Sequence, residues 1–148
     1  MTVSVAVFNA HPRRRVRREG VGRTIRRVAA GEGYRSVTIS VVFIDGRTCA
    51  RINRRYLGHR GSTDVISFPL GEGREIEGEI YVNLDRTKRQ AKSYGVTEAD
   101  EITRLVVHGA LHLLGYDDRT LRSQRQMKAR EDAYVGVPAQ SGKPERAT

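Results

Sequence analysis

The stretch VVHGALHLLGYDD (Val106–Asp118) decides how this chain is read. His108 and His112 are four residues apart, so on a helix both imidazoles share one face. Ile102, Leu105, Val106, Gly109 and Leu113 recur at three- and four-residue spacing and form an apolar stripe beside the histidines. That pattern predicts a largely buried helix. Thr97, with Asp100 three residues on, opens it in the manner of a capping box, and it runs through Leu114. Gly115 can end it by adopting positive φ. The chain then turns back and carries Asp118 toward the two rings. Two imidazoles and a carboxylate meeting at one point can hold a divalent metal and leave a position for water. Taken alone, the histidine pair also fits two core histidines bonded to backbone carbonyls. Burial beside an apolar stripe gives both rings a need for partners.

Working outward, Val3 to Phe8 reads as a strand. Pro12 fits the first turn of a helix running to about Ala30, with Val21, Ile25 and Val28 on its buried face. This stretch carries eight arginines and a single acid, Glu19. They form a solvated outer face or a phosphate-contacting one. After a turn at residues 31–33, Ser36 to Ile44 is rich in β-branched residues and reads as a central strand. Asp45 can cap a short helix to about Tyr56. Leu57 to Ser62 reads as a loop, and Val65 to Phe68 as a strand stopped by Pro69. Gly71 to Gly78 reads as a hairpin-like connection, Glu79 to Leu84 as the fourth strand and Asp85 to Tyr94 as a polar helix. A last helix is expected from about Thr120 to Tyr134. The tail after Pro138 has no periodicity and is expected to be disordered. The fold expected is α+β, a small mixed four-stranded sheet surrounded by helices. It makes one domain over residues 1–137, with a disordered tail over 138–148.

The chain has 148 residues, enough for one domain with a real core. Lys and Arg number 27 against 17 Asp and Glu, for a net charge of +10. That excess fits an anionic polymer, nucleic acid ahead of membrane, or a surface that is basic without a partner. Cys49 is the single cysteine, which excludes a disulfide framework or thiolate cluster within the chain. The start, MTVSVAVFNAH, does not read as a signal peptide. No segment approaches bilayer-spanning length. A cytoplasmic protein without membrane contact is the simplest expectation.

Zinc proteases of the His-Glu-x-x-His type place a general base directly after the first histidine. Here that position is Gly109, which argues against peptide hydrolysis by that route. A small residue there allows close approach of backbone or substrate.

The run His108 to Asp118 closely resembles the signature of the YbeY family of bacterial metal-dependent endoribonucleases. Two further blocks agree in order and spacing. One is Ile52-Asn53-Arg54-Arg55-Tyr56 followed by Thr63-Asp64-Val65-Ile66-Ser67-Phe68-Pro69. The other is Gly78-Glu79-Ile80-Tyr81-Val82, where the family usually has Asp second. The resemblance spans roughly residues 35 to 135. It implies one Zn2+ held by His108, His112 and Asp118, and cleavage of single-stranded RNA. It further implies a role in maturation of small-subunit ribosomal RNA and in ribosome quality control. Ribosomal RNA and the small ribosomal subunit are then the expected partners. Arg54, Arg55 and Arg60 are the candidate RNA-binding residues. Thr63 and Asp64 are expected to shape the loop or orient a ligand. No catalytic side chain is assigned beyond water on the metal.

Two positions depart from the family pattern. Asp118 stands where His is usual, and Leu57 where many members carry Arg. Asp is a competent zinc ligand, but its charge leaves a bound water less acidic than a third imidazole would. Arg54, Arg55 or Arg60 can reach the same phosphate in place of the missing arginine. The two departures keep an alternative open: a non-catalytic, metal-stabilised RNA- or ribosome-binding protein. A metal-dependent hydrolase of a small substrate is a third reading.

Overall fold

β-branched residues and alternating polarity build four strands in a computed structural model that describes residues 2–71 and 75–136. They are β1 (Thr2–Asn9), β2 (Ser36–Ile44), β3 (Val65–Pro69) and β4 (Ile76–Asn83). The sheet order is β1-β2-β4-β3. β1, β2 and β4 run parallel, and β3 is the antiparallel edge. Five helices accompany them among the described residues: α1 (Arg18–Gly31), α2 (Gly46–Leu57), α3 (Leu84–Tyr94), α4 (Glu98–Leu113) and α5 (Leu121–Val135). The mixed α+β architecture is the one expected.

Period-two alternation divides β2 between two layers. Val37, Ile39, Val41 and Phe43 enter the main core with Ile25 and Val28 of α1, Ile80 and Val82 of β4, and Val107 and Leu111 of α4. Ile44 joins Cys49 and Ile66 in a smaller cluster, against which Ile52 of α2 packs. α4 is therefore the central helix, packed against α1, α3, α5 and two strands.

Side-chain caps fix the starts of α2 to α5. Asp45 accepts from the Thr48 amide, Asn83 from Arg86, and Thr97 from Asp100. Thr120 and Ser123 form a reciprocal capping box on α5.

Several boundaries differ from the sequence expectations. α1 starts at Arg18 rather than Pro12 because the preceding backbone is engaged elsewhere. His11 Nδ1 accepts from the amides of Arg13 and Arg14, and its Nε2 bonds Asp85 at 2.8 Å. Asn9 bonds both the amide and the carbonyl of Val16. Pro69 does not stop β3 but ends it as a paired residue opposite Gly78. β3 is an edge, where a missing N–H is tolerated. β4 accordingly begins at Ile76, not Glu79, so residues 76–78 of the expected connection are strand, and residues 72–74 of it lie outside the described residues. Leu84 belongs to α3 rather than β4, because the Asn83 cap ends the strand there. Leu57 closes α2 instead of opening the loop. The expected tail over 138–148 lies outside the described residues.

Candidate metal centre

The four-residue repeat of α4 stacks Arg104, His108 and His112 along one stripe. The helix ends in a Schellman motif. Gly115 takes φ +105°, its amide donates to the His112 carbonyl, and the Tyr116 amide donates to Leu111. That reversal returns the chain beside the helix and sets Asp118 against both rings. The Asp118 carbonyl accepts from Gln124 of α5 at 3.1 Å, which pins the turn from its far side. Asp117, the neighbouring acid, is exposed and accepts from the Arg119 amide instead.

Three atoms converge. His108 Nε2 and His112 Nε2 are 3.1 Å apart. Asp118 Oδ2 lies 3.6 Å from the first and 3.5 Å from the second. A triangle with those sides has a centre about 2.0 Å from every corner, the length of a zinc–nitrogen or zinc–oxygen bond. The donor set and its spacing therefore fit a small divalent cation. His108 is buried, while His112 and Asp118 are partly open, so one side faces solvent.

Glu131 of α5 decides how His108 presents itself. Its Oε2 lies 2.6 Å from His108 Nδ1. Nδ1–H donates there, which leaves Nε2 as the atom facing Asp118 and His112. Glu131 is 5% exposed, and its other oxygen accepts from Arg104 Nη1 at 3.1 Å. Arg104 Nη2 completes a fork to Asp132 at 2.8 Å. A buried ionic chain thus runs from α5 through α4 to the centre. Burial pulls the His108 pKa down, but the bond and charge of Glu131, then Asp64 and Asp118, outweigh it and hold the ring above its ordinary value. Burial and the His108 ring push His112 below its ordinary value, with Asp118 opposing. Two facing Nε2 atoms require something electropositive between them, a proton or a cation. The backbone-carbonyl alternative fails for His108, whose ring partners are side chains.

Sequence reasoning missed Glu131 and Arg104. α5 reads as a basic helix, and a carboxylate pair in its last turns resembles surface decoration. One signal was available. Arg104 lies four residues before His108 on a helix expected to be buried, and a buried guanidinium requires a carboxylate.

Gly109 serves the sheet. A Cβ there would meet Ile80 Cγ2 at 2.6 Å and Ser67 Oγ at 3.2 Å, and Ser67 Oγ donates to the Gly109 carbonyl. The small residue lets α4 approach β3 and β4, so of the two uses expected for it the backbone one applies. Thr63 and Asp64 lie immediately before β3. Asp64 is 8% exposed, its Oδ1 accepts from the Val65 amide, and the Thr63 carbonyl accepts from Asn83. Arg54 and Arg55 are exposed on the last turn of α2, and Arg60 is exposed on the following loop. Among the described residues, none of these arginines pairs with the converging groups. Leu57 is an exposed apolar side chain in the same region.

A mixed four-stranded sheet, a central buried helix and a histidine–histidine–carboxylate cluster at that helix's C-terminal end define the class. It is a small α+β protein built around a candidate divalent-cation centre. The family profile described as Endoribonuclease YbeY matches residues 9–136. Endoribonuclease YbeY of Chlorobium phaeobacteroides is 39% identical over 133 residues, 90% of this chain and 96% of its own. That of Chlorobium phaeovibrioides is 39% identical over 115 residues, 78% of each chain. That of Salinibacter ruber is 36% identical, covering 93% and 94%. The solution structure of TM1509 from Thermotoga maritima superposes with a TM-score of 0.65 at 25% identity, over 88% of this chain and 86% of that one. The chain belongs to the YbeY family and as a member is an endoribonuclease, a hydrolase.

Proposed function

We propose that this endoribonuclease cuts single-stranded RNA at one Zn2+ held by His108, His112 and Asp118. Its setting is small-subunit ribosomal RNA maturation and ribosome quality control in the cytoplasm, with ribosomal RNA and the small subunit as partners. The observation that carries the reading is the convergence of two Nε2 atoms and one Oδ2 within 3.1–3.6 Å of one another. Two imidazoles with one carboxylate match the nitrogen and oxygen preference of zinc.

Bound there, the cation would acidify a water or polarise a phosphoryl oxygen. The protein's own groups supply the rest. Glu131 keeps the proton on His108 Nδ1 and the lone pair on Nε2. Asp118 adds a negative charge where a third imidazole would add none, which tightens cation binding and moderates water acidity. Arg54, Arg55 and Arg60 meet phosphate charge as it grows in the transition state. Thr63 and Asp64 hold the loop that carries Arg60. The exposed positions of these arginines suit a long, flexible substrate. Among the described residues, no helix is long and apolar enough to cross a membrane.

The test compares the wild type with His112→Ala on single-stranded and duplex RNA, with metal content measured. The wild type should carry about one metal per chain and cut single-stranded RNA preferentially, and the variant should lose both properties. Purified wild type without metal, or equal cutting by both proteins, overturns the reading. Metal and RNA binding without turnover would favour the non-catalytic alternative.

A further inference from the structure

Between α1, the loop before it and the first half of α4 lies a groove of about 820 Å³. Its rim carries Arg14, Arg15, Arg17, Arg23 and Arg27, against Glu98 and Asp100. Five positive charges over two negative leave an excess of three. Glu98 is taken by Arg14. Arg15 and Arg27 bond backbone carbonyls, of Asn9 and Tyr134, which position the guanidinium without neutralising it. Arg17 and Arg23 are exposed, and no carboxylate among the described residues lies within ion-pair distance of either. Arg23 and Arg27 are one helical turn apart on the same face of α1.

The groove is separate from the metal centre. Ile102, Thr103 and Val106 of α4 line it. At 100° per residue, that face lies roughly 200° around the helix from His108 and His112. The two sites therefore occupy opposite sides of α4, and one short oligonucleotide cannot fill both.

We propose that this groove is a second RNA-binding site, holding the phosphate backbone of a substrate strand away from the cut. The proposal rests on the RNA substrate of the preceding subsection. Charge complementarity selects a polyanion, because crowded arginines without carboxylates gain most from phosphate. The lining holds no aromatic ring. Bases therefore have no platform to stack on, and binding is by backbone and independent of sequence. The aliphatic floor of Val21, Ile102 and Val106 can accept sugar faces, while the arginine rim takes phosphates. The site would favour long RNA over short fragments without altering the chemistry of the cut.

The double variant Arg17→Gln/Arg23→Gln tests it, beside a charge-matched control, Lys88→Gln/Arg89→Gln, on the exposed face of α3. Anisotropy titrations with a 30-mer of single-stranded RNA are run across salt concentrations. Each phosphate contact contributes about 0.7 to the logarithmic salt slope, so the groove variant should lose about 1.4, and bind ~25-fold more weakly at 0.1 M salt. The control should change neither. Cleavage of a short oligomer should be unchanged in the groove variant, while KM for long RNA rises. Equal loss in the control, or an unchanged salt slope in the groove variant, overturns the proposal. So does an unchanged slope with loss of binding to poly-glutamate, which would assign the groove to an acidic protein segment. Wild type that cuts no RNA would instead remove the functional reading on which the proposal rests.

Discussion

Removing the Glu131 carboxylate should damage the centre although it contributes no atom to the converging triangle. Glu131→Ala deletes two contacts at once, the 2.6 Å bond to His108 Nδ1 and the 3.1 Å bond to Arg104. Breaking a buried ionic pair from one side costs about 3–5 kcal/mol. Arg104 keeps Asp132 at 2.8 Å, so the lower end applies, about 3 kcal/mol. That is a large part of the stability of a domain this size, about 5–15 kcal/mol. His108 also loses the group that fixes its proton on Nδ1, so the ring can present either nitrogen. Loss of such an orienting partner lowers metal affinity about 10–100-fold. Urea unfolding of the metal-free protein measures the first effect, and Zn2+ titration against a competing chelator the second. Glu131→Gln separates them, because its amide oxygen still accepts from Nδ1–H while the charge is gone. It should lose stability through Arg104 yet retain more affinity than the alanine variant. Stability within about 0.5 kcal/mol of wild type for Glu131→Ala, the range of an ordinary surface change, would refute the reasoning. So would unchanged Zn2+ affinity.

Gly109→Ala should destabilise by about 1–3 kcal/mol, because its Cβ meets Ile80 Cγ2 at 2.6 Å and cannot be accommodated without moving α4 from the sheet. Thermal melts check it, and a melt equal to wild type would mean that the close approach is not needed. Glu32 accepts from Tyr116 and Tyr134 and pairs with Arg130. Burial raises its pKa, but those three groups outweigh burial and hold it below its ordinary value. A depressed carboxylate contributes stability above its unfolded pKa and loses it as pH falls through the folded one. Urea midpoints of wild type and Glu32→Gln should therefore differ at pH 7 and converge in acid once the pH falls below the depressed folded pKa; a constant gap would contradict this linkage. Burial and Glu32 together push the Tyr134 hydroxyl up to about 12. In an ultraviolet titration the last tyrosine to ionise should therefore vanish in Tyr134→Phe, and its persistence would place that hydroxyl elsewhere.

Most of the fold was legible because local rules and tertiary packing agree. β2 matches its expected span because its β-branched run is buried in the sheet and has no competing structure. Asp45, Thr97 and Thr120 start helices as their side chains allow, since capping is a contact between near neighbours. The misplaced boundaries are the ones decided at a distance. Residues 12–17 look helical from Pro12 and the charges that follow, yet Asp85, 74 residues from His11, holds that histidine in place and the helix waits until Arg18. Pro69 reads as a stop until pairing with Gly78 makes β3 an edge.

The centre divides the same way. The sequence by itself determined His108 and His112 as a pair, by helical spacing, and Asp118 as their companion, by the Gly115 turn, because all three lie within eleven residues and obey short-range geometry. It also determined the excess of positive charge, which composition alone reports. Only the tertiary structure decided which nitrogen His108 offers, since Glu131 is 23 residues away on a helix that reads as basic. It likewise decided that Gly109 faces Ile80 rather than a substrate, and that five arginines of the first 27 residues line one groove with α4. Spacing along a chain fixes which side chains share a helical face, whereas what that face meets depends on packing between elements distant in sequence.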